Sequence, residues 1–206
     1  SSALTCIQQS VMNLGILAVQ GLVNSFGTVV MAAFAAAVKI DAFASLPVQD
    51  FGNAFSIFLA QNYGAQEKGR LKQGMRGAFA AAAGVAVSAV VYGFTAPLMR
   101  IFIDAGEMDV IAEGVRYLHI EGAFYLGIGW LFLLYGLYRA VGRPGMSVVL
   151  TVISLGIRVA LAYTLSAIPA VGVVGIWWSV PIGWFLADAV GLGYYWWKRR
   201  TLFEMR

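Results

Sequence analysis

The amino-acid sequence predicts an all-α polytopic membrane protein, folded as a bundle of six transmembrane helices. Hydrophobic residues make up 60% and charged residues only 12% of the 206-residue chain. Ordinary soluble domains carry about 25% charged residues. The apolar residues also gather into stretches of about 20, the length that crosses a bilayer as a helix. We predict one lobe with six spans, at residues 7–26, 28–62, 74–97, 117–138, 146–168 and 173–197.

The first span carries a row of amide side chains on one helical face. Gln9, Asn13, Gln20 and Asn24 follow one another at intervals that return each to the same side of a helix. A surface that faces lipid does not hold four amides, so they either join helices through hydrogen bonds or line a polar cavity. Both interpretations stay open, and Gln20 and Asn24 are candidates for binding substrate or ion.

The second span is too long for a straight crossing of a hydrocarbon core about 30 Å thick. Proline removes a backbone hydrogen-bond donor from a helix, and glycine is conformationally permissive. We therefore expect one extended or bent helix that is broken near Pro47 or Gly52.

Charged side chains interrupt this apolar span. A charge near the bilayer centre costs about 2.5–3.5 kcal/mol on insertion scales, so such residues usually face a cavity or a partner. At about 100° per residue, Lys39, Asp50 and Asn53 share one face, while Asp41 lies roughly 160° away from Lys39. Lys39, Asp41, Asp50 and Asn53 are candidate substrate- or ion-binding residues, each with a partner elsewhere.

The later spans add four polar candidates. Glu121 and Tyr125 lie on one helical face; Glu121 is either an interfacial carboxylate in water or part of a proton or cation site lined by tyrosines. Arg158 keeps its charge in proteins, so it needs carbonyls, a carboxylate or water. Asp188, the only acid of the sixth span, is its candidate partner in a structural pair, unless both residues face the cytoplasm.

The sequence excludes several classes of function. It has no Ser/His/Asp set, no HExxH and no GxxxxGK[ST], so we expect neither an enzyme nor a nucleotide-driven pump. Cys6 is the only cysteine, and we predict no disulfide, no metal site and no cofactor. The net charge of +4 arises in short loops rather than in a basic stripe with aromatics, so nucleic acid is not an expected partner.

Basic residues predict the orientation of the chain in the lipid bilayer. Ten of its fourteen lysines and arginines lie in the even-numbered connections or the tail: Lys68, Arg70, Lys72, Arg76, Arg139, Arg143, Lys198, Arg199, Arg200 and Arg206. The positive-inside rule then places both termini in the cytoplasm, in a multi-pass protein of the cell membrane. Because the chain begins at Ser1, we expect it to be part of a longer protein.

Three segments carry a resemblance to a known family. They are FGNAFSIFLAQNYGAQEKGRLKQG at residues 51–74, QGLVNSFGTVVMAAFAAAVKI at 20–40 and GLYRAVGRPGMSVVLTVISLGIRVALAY at 136–163. Together they resemble the multidrug and toxic compound extrusion (MATE) transporters, whose two lobes have six helices each. The resemblance implies that this chain is the C-terminal lobe and that an N-terminal lobe is its partner.

The resemblance also implies an activity. MATE proteins export cationic amphipathic compounds in exchange for Na⁺ or H⁺, and their lobes rock around a central cleft. On this basis Lys39, Asp41 and Glu121 are expected to line the cleft with Gln20 and Asn24. The first span carries no glutamate, which leaves the absent lobe as an alternative place for the coupling acid.

Two other functions stay open. One is a flippase for lipid-linked precursors from the same superfamily. The cavities of those flippases tend to be strongly cationic, whereas this chain has only two basic residues within its predicted spans, Lys39 and Arg158. The other is a membrane interaction fragment that is inert alone. A channel is not expected, since no span shows a repeated polar pore face.

Overall fold

The computed structural model describes residues 2–82 and 85–202, and helices occupy most of both ranges. No strand occurs in these ranges, which confirms the all-α fold class. The helices are α1 (Ser2–Asn24), α2 (Thr28–Gly64), α3 (Lys68–Ala82), α4 (Val85–Met99), α5 (Met108–Ala123), α6 (Tyr125–Ala140), α7 (Pro144–Ser166) and α8 (Val173–Leu202).

Within the described part of the chain, four helices are long and apolar enough to cross a membrane: α1, α2, α7 and α8. Helices α5 and α6 pass the same test together as one broken span, which makes a polytopic membrane protein. The third predicted span, at 74–97, falls on α3 and α4. Residues 83–84 between these helices lie outside the described ranges, so six spans remain a prediction.

The fourth predicted span is a broken helix rather than one straight segment from 117 to 138. It begins earlier, at Met108, and bends by 52° between α5 and α6. Phe124 sits at the bend with φ −118° and ψ 16°, and its amide donates to the carbonyl of Glu121. This tight turn ends α5 directly before Tyr125, so the break separates Glu121 from Tyr125.

Helix α2 corrects the prediction of a break near Pro47 or Gly52. It is one α-helix of 37 residues that contains both. Pro47 has no backbone N–H to donate to the Phe43 carbonyl, and both residues are exposed, so α2 continues across one missing hydrogen bond outside the packed core. Gly52 instead lets α2 pass close to α6.

Small residues set the closest helix crossings. A Cβ added to Gly136 of α6 would lie 2.8 Å from the carbonyl oxygen of Gly52 on α2, and the Ser56 hydroxyl donates to the Gly136 carbonyl at 3.1 Å. A Cβ on Gly183 of α8 would lie 2.6 Å from the carbonyl oxygen of Ser154 on α7. In a membrane, where lipid tails are as apolar as leucine, such close packing supplies much of the helix association.

Candidate functional site

Two acidic side chains from different helices meet inside the lobe. Asp41 of α2 and Glu121 of α5 lie within hydrogen-bonding reach of each other. Glu121 is 1% exposed, so its carboxyl group is shielded from solvent. Two carboxylates in such proximity repel each other unless a proton, a cation or a basic side chain lies between or beside them.

Arg158 of α7 supplies the basic side chain. Its guanidinium group attracts both Asp41 and Glu121, which places one positive charge beside two acidic groups. Tyr125 approaches Asp41, and Tyr117 approaches Glu121. We define the acidic cluster as Asp41, Glu121, Arg158, Tyr117 and Tyr125.

The acidic cluster is not saturated with hydrogen bonds. Four of its enclosed polar atoms have no hydrogen-bond partner of good geometry among the described residues: Asp41 Oδ1, Glu121 Oε2, the Tyr125 hydroxyl oxygen and Arg158 Nε. Enclosed polar atoms in folded proteins are almost always paired, so each exception asks for an explanation. Atoms poised for an ion, a proton or a substrate group are one such explanation.

The local fold explains why these side chains converge. On α5, Tyr117 and Glu121 are one turn apart and share the buried face. The bend at Phe124 then begins α6 with Tyr125, which is also buried. Discontinuous helices line binding sites in membrane transporters because irregular backbone is tolerated where it borders protein or a cavity.

Aromatic rings form a wall beside the acidic cluster. The ring of Tyr117 meets Trp177 edge-on at 4.9 Å between centroids, and Phe34 stacks on Trp177 at 5.5 Å. Trp184 lies 6.5 Å from the ring of Tyr125. These rings are buried, so the wall closes one side of the acidic cluster.

Lys39 lies apart from the acidic cluster, although it stands only two positions before Asp41 in the sequence. It is exposed, and its Nζ atom sits 5.7 Å from the ring centre of Phe102. It borders an apolar groove of about 660 Å³ between α2 and α4, lined by Ile40, Phe43, Ala44, Val90, Val91, Leu98, Ile101 and Phe102. No ion pair or hydrogen bond joins Lys39 to Asp41 in the described part of the chain, as the helical geometry predicts.

The side-chain amides of Gln20 and Asn24 on α1 form a hydrogen bond with each other rather than with the acidic cluster. The Gln20 amide donates to the Asn24 carbonyl oxygen at 3.1 Å, one turn along the same helix, and Asn24 is exposed. In the described structure this pair does not join α1 to another helix. Gln8 does so instead, through a 2.9 Å hydrogen bond to Thr151 of α7.

Asp50 and Asn53 lie further along α2 and are exposed. The Asn53 carbonyl oxygen accepts a hydrogen bond from Arg139 of α6 at 3.1 Å, so its clearest role is to hold Arg139. Neither side chain belongs to the acidic cluster. Of the eight predicted binding residues, Asp41, Glu121 and Tyr125 come together.

The predicted pairing of Arg158 with Asp188 is wrong. Asp188 has no hydrogen-bond partner on either carboxyl oxygen within the described ranges, whereas Arg158 faces Asp41 and Glu121. The reason is the position of each residue along the packed helices. The Cβ of Arg158 lies against Gly183, more than one helical turn away from Asp188 on α8.

The sequence places Tyr117 on the face of Glu121 and Tyr125 without making it a predicted binding residue, and Phe34 and Trp177 were not predicted to belong to the site. Tyr117 had a usable signal, since it stands one turn before Glu121 on the same face. Phe34 and Trp177 lie in apolar runs and carry no signal that separates them from ordinary core residues. No group of three or more His, Cys, Asp or Glu residues that could hold a metal ion occurs in the described part of the chain.

Comparisons with known proteins agree with this architecture. A family model described as MatE matches residues 5–164. The probable multidrug resistance protein YpnP of Bacillus subtilis (strain 168) is 31% identical over 204 residues, which cover 96% of this chain and 45% of YpnP. Another from the same organism, YoeA, is 27% identical over 201 residues, 95% of this chain and 43% of YoeA.

A solved structure shows the same fold. The Vibrio cholerae MATE transporter VcmN in its bent form superposes with a TM-score of 0.86 at 20% identity, over 97% of this chain and 45% of VcmN. The packed apolar helices therefore have the fold of about half of that transporter, which corresponds to one lobe. The chain belongs to the MatE family, by the family model that covers most of it, and it spans less than half the length of the relatives named here.

Proposed function

We propose that this chain is the C-terminal lobe of a secondary active multidrug efflux transporter. In this proposal the complete transporter exports cationic amphipathic compounds in exchange for Na⁺ or H⁺. Family membership and the names of YpnP and YoeA as probable multidrug resistance proteins support the transport class. The acidic cluster supports the exchange mechanism.

The observation that carries the proposal is the charge balance of the acidic cluster. Two carboxyl groups face one guanidinium group, so one negative charge is unbalanced when both acids are ionised. A proton, Na⁺ or an organic cation neutralises that charge. Since each neutralises the same charge, their binding is mutually exclusive or strongly antagonistic, which is the basis of exchange.

The aromatic wall supports a role in handling organic cations. In this structure the rings of Phe34, Tyr117 and Trp177 are buried next to the unbalanced charge, and in the proposal they meet the compound when the cleft between the lobes opens. Apolar and aromatic surfaces tolerate substrates of varied shape, while the carboxyl groups select for positive charge. A neutral or anionic compound lacks the attraction to the acidic cluster.

The proposal places the chain in the cell membrane with both termini in the cytoplasm and with an N-terminal lobe opposite. The basic connections support the orientation. The share of YpnP and YoeA that this chain covers supports the presence of a second lobe in the complete transporter.

The test is dye export by the complete transporter that contains this chain, measured in inverted vesicles under an imposed proton or sodium gradient. We expect Asp41→Asn and Glu121→Gln each to reduce gradient-driven export of a fluorescent cationic dye by roughly tenfold or more, since one coupling charge is lost. Asp104→Asn, an exposed acid between α4 and α5, is the matched control and should leave export unchanged.

The outcomes separate the candidate functions. Export that survives both substitutions at the wild-type level would move the coupling acid to the other lobe. An absence of dye export under either gradient, in wild-type protein that folds, would contradict multidrug efflux and favour a flippase or an inert fragment.

A further inference from the structure

Asp188 of α8 is a second buried acid, separate from the acidic cluster. Its side chain is 2% exposed, and neither carboxyl oxygen has a hydrogen-bond partner among the described residues. A carboxylate in such surroundings is too costly to persist without a donor or a cation, so the enclosed group carries a proton. A polar residue that serves only the fold is normally hydrogen-bonded, which Asp188 is not.

Polar side chains of α7 and α6 surround Asp188. It lies on α8 between Gly183, which contacts the Ser154 carbonyl, and Gly191, which contacts Leu150. This stretch of α7 carries three buried hydroxyl groups, and Tyr135 of α6 interacts with Asp188 through its charge. The hydroxyl groups belong to Ser147, Thr151 and Ser154.

These polar groups extend from the interior towards the surface of α1. The partly exposed Gln8 donates to the Thr151 hydroxyl at 2.9 Å, and Thr151 donates to the Ser147 carbonyl at 2.9 Å. The Ser147 hydroxyl donates to the Tyr135 carbonyl at 3.2 Å. We name Gln8, Thr151, Ser147 and Tyr135 the polar line.

Tyr135 is the titratable group that faces Asp188 from the described helices packed against α8, and the following groups on those helices are engaged elsewhere. On α6, the Tyr138 hydroxyl donates to the Gly191 carbonyl at 2.6 Å. On α7, Arg158 faces the acidic cluster. On α5, Glu113 accepts a hydrogen bond from Trp177, and Glu121 faces Asp41. The described part of α1 has no charged side chain, and its Cys6 is exposed.

Asp188 is nevertheless linked to the acidic cluster by packing. Trp184 stands one turn before Asp188 on α8, and its ring lies 6.5 Å from that of Tyr125. A change in the charge of Asp41 or Glu121, the neighbours of Tyr125, can therefore shift α8 through Trp184. A change in the charge of Asp188 can act on the acidic cluster through the same contact.

We propose that Asp188 is a second proton-binding site of the lobe, on the side of α8 where the polar line lies, and that it takes up and releases one proton during transport. The inference rests on the proposed transport function, because it assigns the proton a part in the cycle. It adds a group on α8 that acts beside the Asp41–Glu121 pair. The proton leaves as H⁺ to water and returns from water, so no other reactant is needed.

The experiment uses the complete transporter in liposomes that hold a pH-sensitive dye. Asp188→Asn keeps the shape of the neutral acid but cannot release a proton. We expect it to fold with an unchanged unfolding midpoint and to lower substrate-driven proton movement about fivefold or more, while Asp104→Asn changes neither.

Infrared difference spectroscopy provides a readout that does not depend on transport. The carbonyl bands of protonated carboxylic acids should change when the pH is stepped, and the change in wild-type protein should contain one band that Asp188→Asn lacks, while the bands of Asp41 and Glu121 stay in both. Identical pH-induced spectra for the two proteins, or proton movement at the wild-type level in folded Asp188→Asn protein, would overturn the proposal. A band that responds to Na⁺ rather than to pH would also overturn it.

The same spectra separate this inference from the proposed function. If dye export fails in wild-type protein while the Asp188 band responds to pH, the efflux assignment fails and the proton site stands. If export depends on Asp41 and Glu121 while the band is absent, the efflux assignment stands and the Asp188 site fails.

Discussion

Asp41 of α2 faces Glu121 of α5 in the interior of the lobe, where each carboxyl group lies within hydrogen-bonding reach of the other. Helices α3 and α4 lie between α2 and α5 in the sequence. The pair therefore forms only because α2 packs against α5 in the folded lobe. Arg158 reaches the pair from a third helix. One site thus links three elements whose relative movement a transporter could use.

Crosslinking tests the meeting of these two residues. In a Cys6→Ser background, Asp41→Cys together with Glu121→Cys should be joined by a short thiol-reactive crosslinker, because the two side chains contact each other. Asp50→Cys together with Glu121→Cys should not be joined, since Asp50 lies on an exposed part of α2. Proteolysis between α2 and α5 followed by gel analysis reports the result, and equal crosslinking of both pairs would contradict the structure.

Removing the base of the acidic cluster should destabilise the protein. Arg158→Met leaves two acids without their counter-charge, and we expect the free energy of unfolding to fall by about 3 kcal/mol, the lower end for breaking a buried pair, because Arg158 is only partly buried. Arg116→Met is the control: its pair with Glu113 spans 3.4 Å, but the Arg116 side chain is 57% exposed, so the pair should contribute about 0–1 kcal/mol.

A double variant provides a check within the same series of unfolding measurements. Thermal unfolding in detergent should show that Glu121→Gln restores part of the stability lost in Arg158→Met, since one of the two uncompensated acids is then neutral. A double variant that is less stable than Arg158→Met alone would contradict the charge balance described for the acidic cluster.

A methyl group at the crossing of α2 and α6 should be poorly tolerated. Gly136→Ala would bring its Cβ to 2.8 Å from the Gly52 carbonyl oxygen, and the helices must separate to admit it. We expect a loss of about 1–3 kcal/mol in the free energy of unfolding. Gly156→Ala, whose Cβ would meet nothing within 4 Å on α7, should be neutral or slightly stabilising by the same assay.

The hydroxyl of Tyr138 offers a smaller effect. It donates to the Gly191 carbonyl at 2.6 Å between α6 and α8, so Tyr138→Phe should cost about 1 kcal/mol. Tyr163→Phe removes a longer contact of 3.4 Å at an exposed position, and its unfolding midpoint should stay close to that of the wild type. Equal losses in both variants would count against a specific role for the Tyr138 hydrogen bond.

Local patterns in the sequence predict the helices and one face of the site. Apolar length indicates the spans, and the four-residue spacing of Glu121 and Tyr125 indicates a shared face that the structure retains across the bend. The bend itself carries no local signal, because Phe124 is neither glycine nor proline. On its two sides, α5 and α6 both pack against α2 and α8, while α5 also packs against α4 and α6 against α7.

Partner choice among the buried charges could not be predicted from spacing alone. Asp188 was the nearest candidate for Arg158 along the chain, yet the register of α7 against α8 places Gly183, not Asp188, beside Arg158. Asp41 and Glu121 are far apart in sequence, and only the packing of α2 on α5 joins them. Such long-range pairings depend on the complete fold.

In the proposed function Asp41 and Glu121 act as one coupling site. A double-mutant cycle on transport measures whether the two residues act together. Gradient-driven dye export by the complete transporter should be measured for Asp41→Asn, Glu121→Gln and the double variant. Residues that act as a unit give strongly non-additive effects, so the double variant should lose little more activity than either single variant. Losses that multiply would contradict a shared site and would indicate two independent acids.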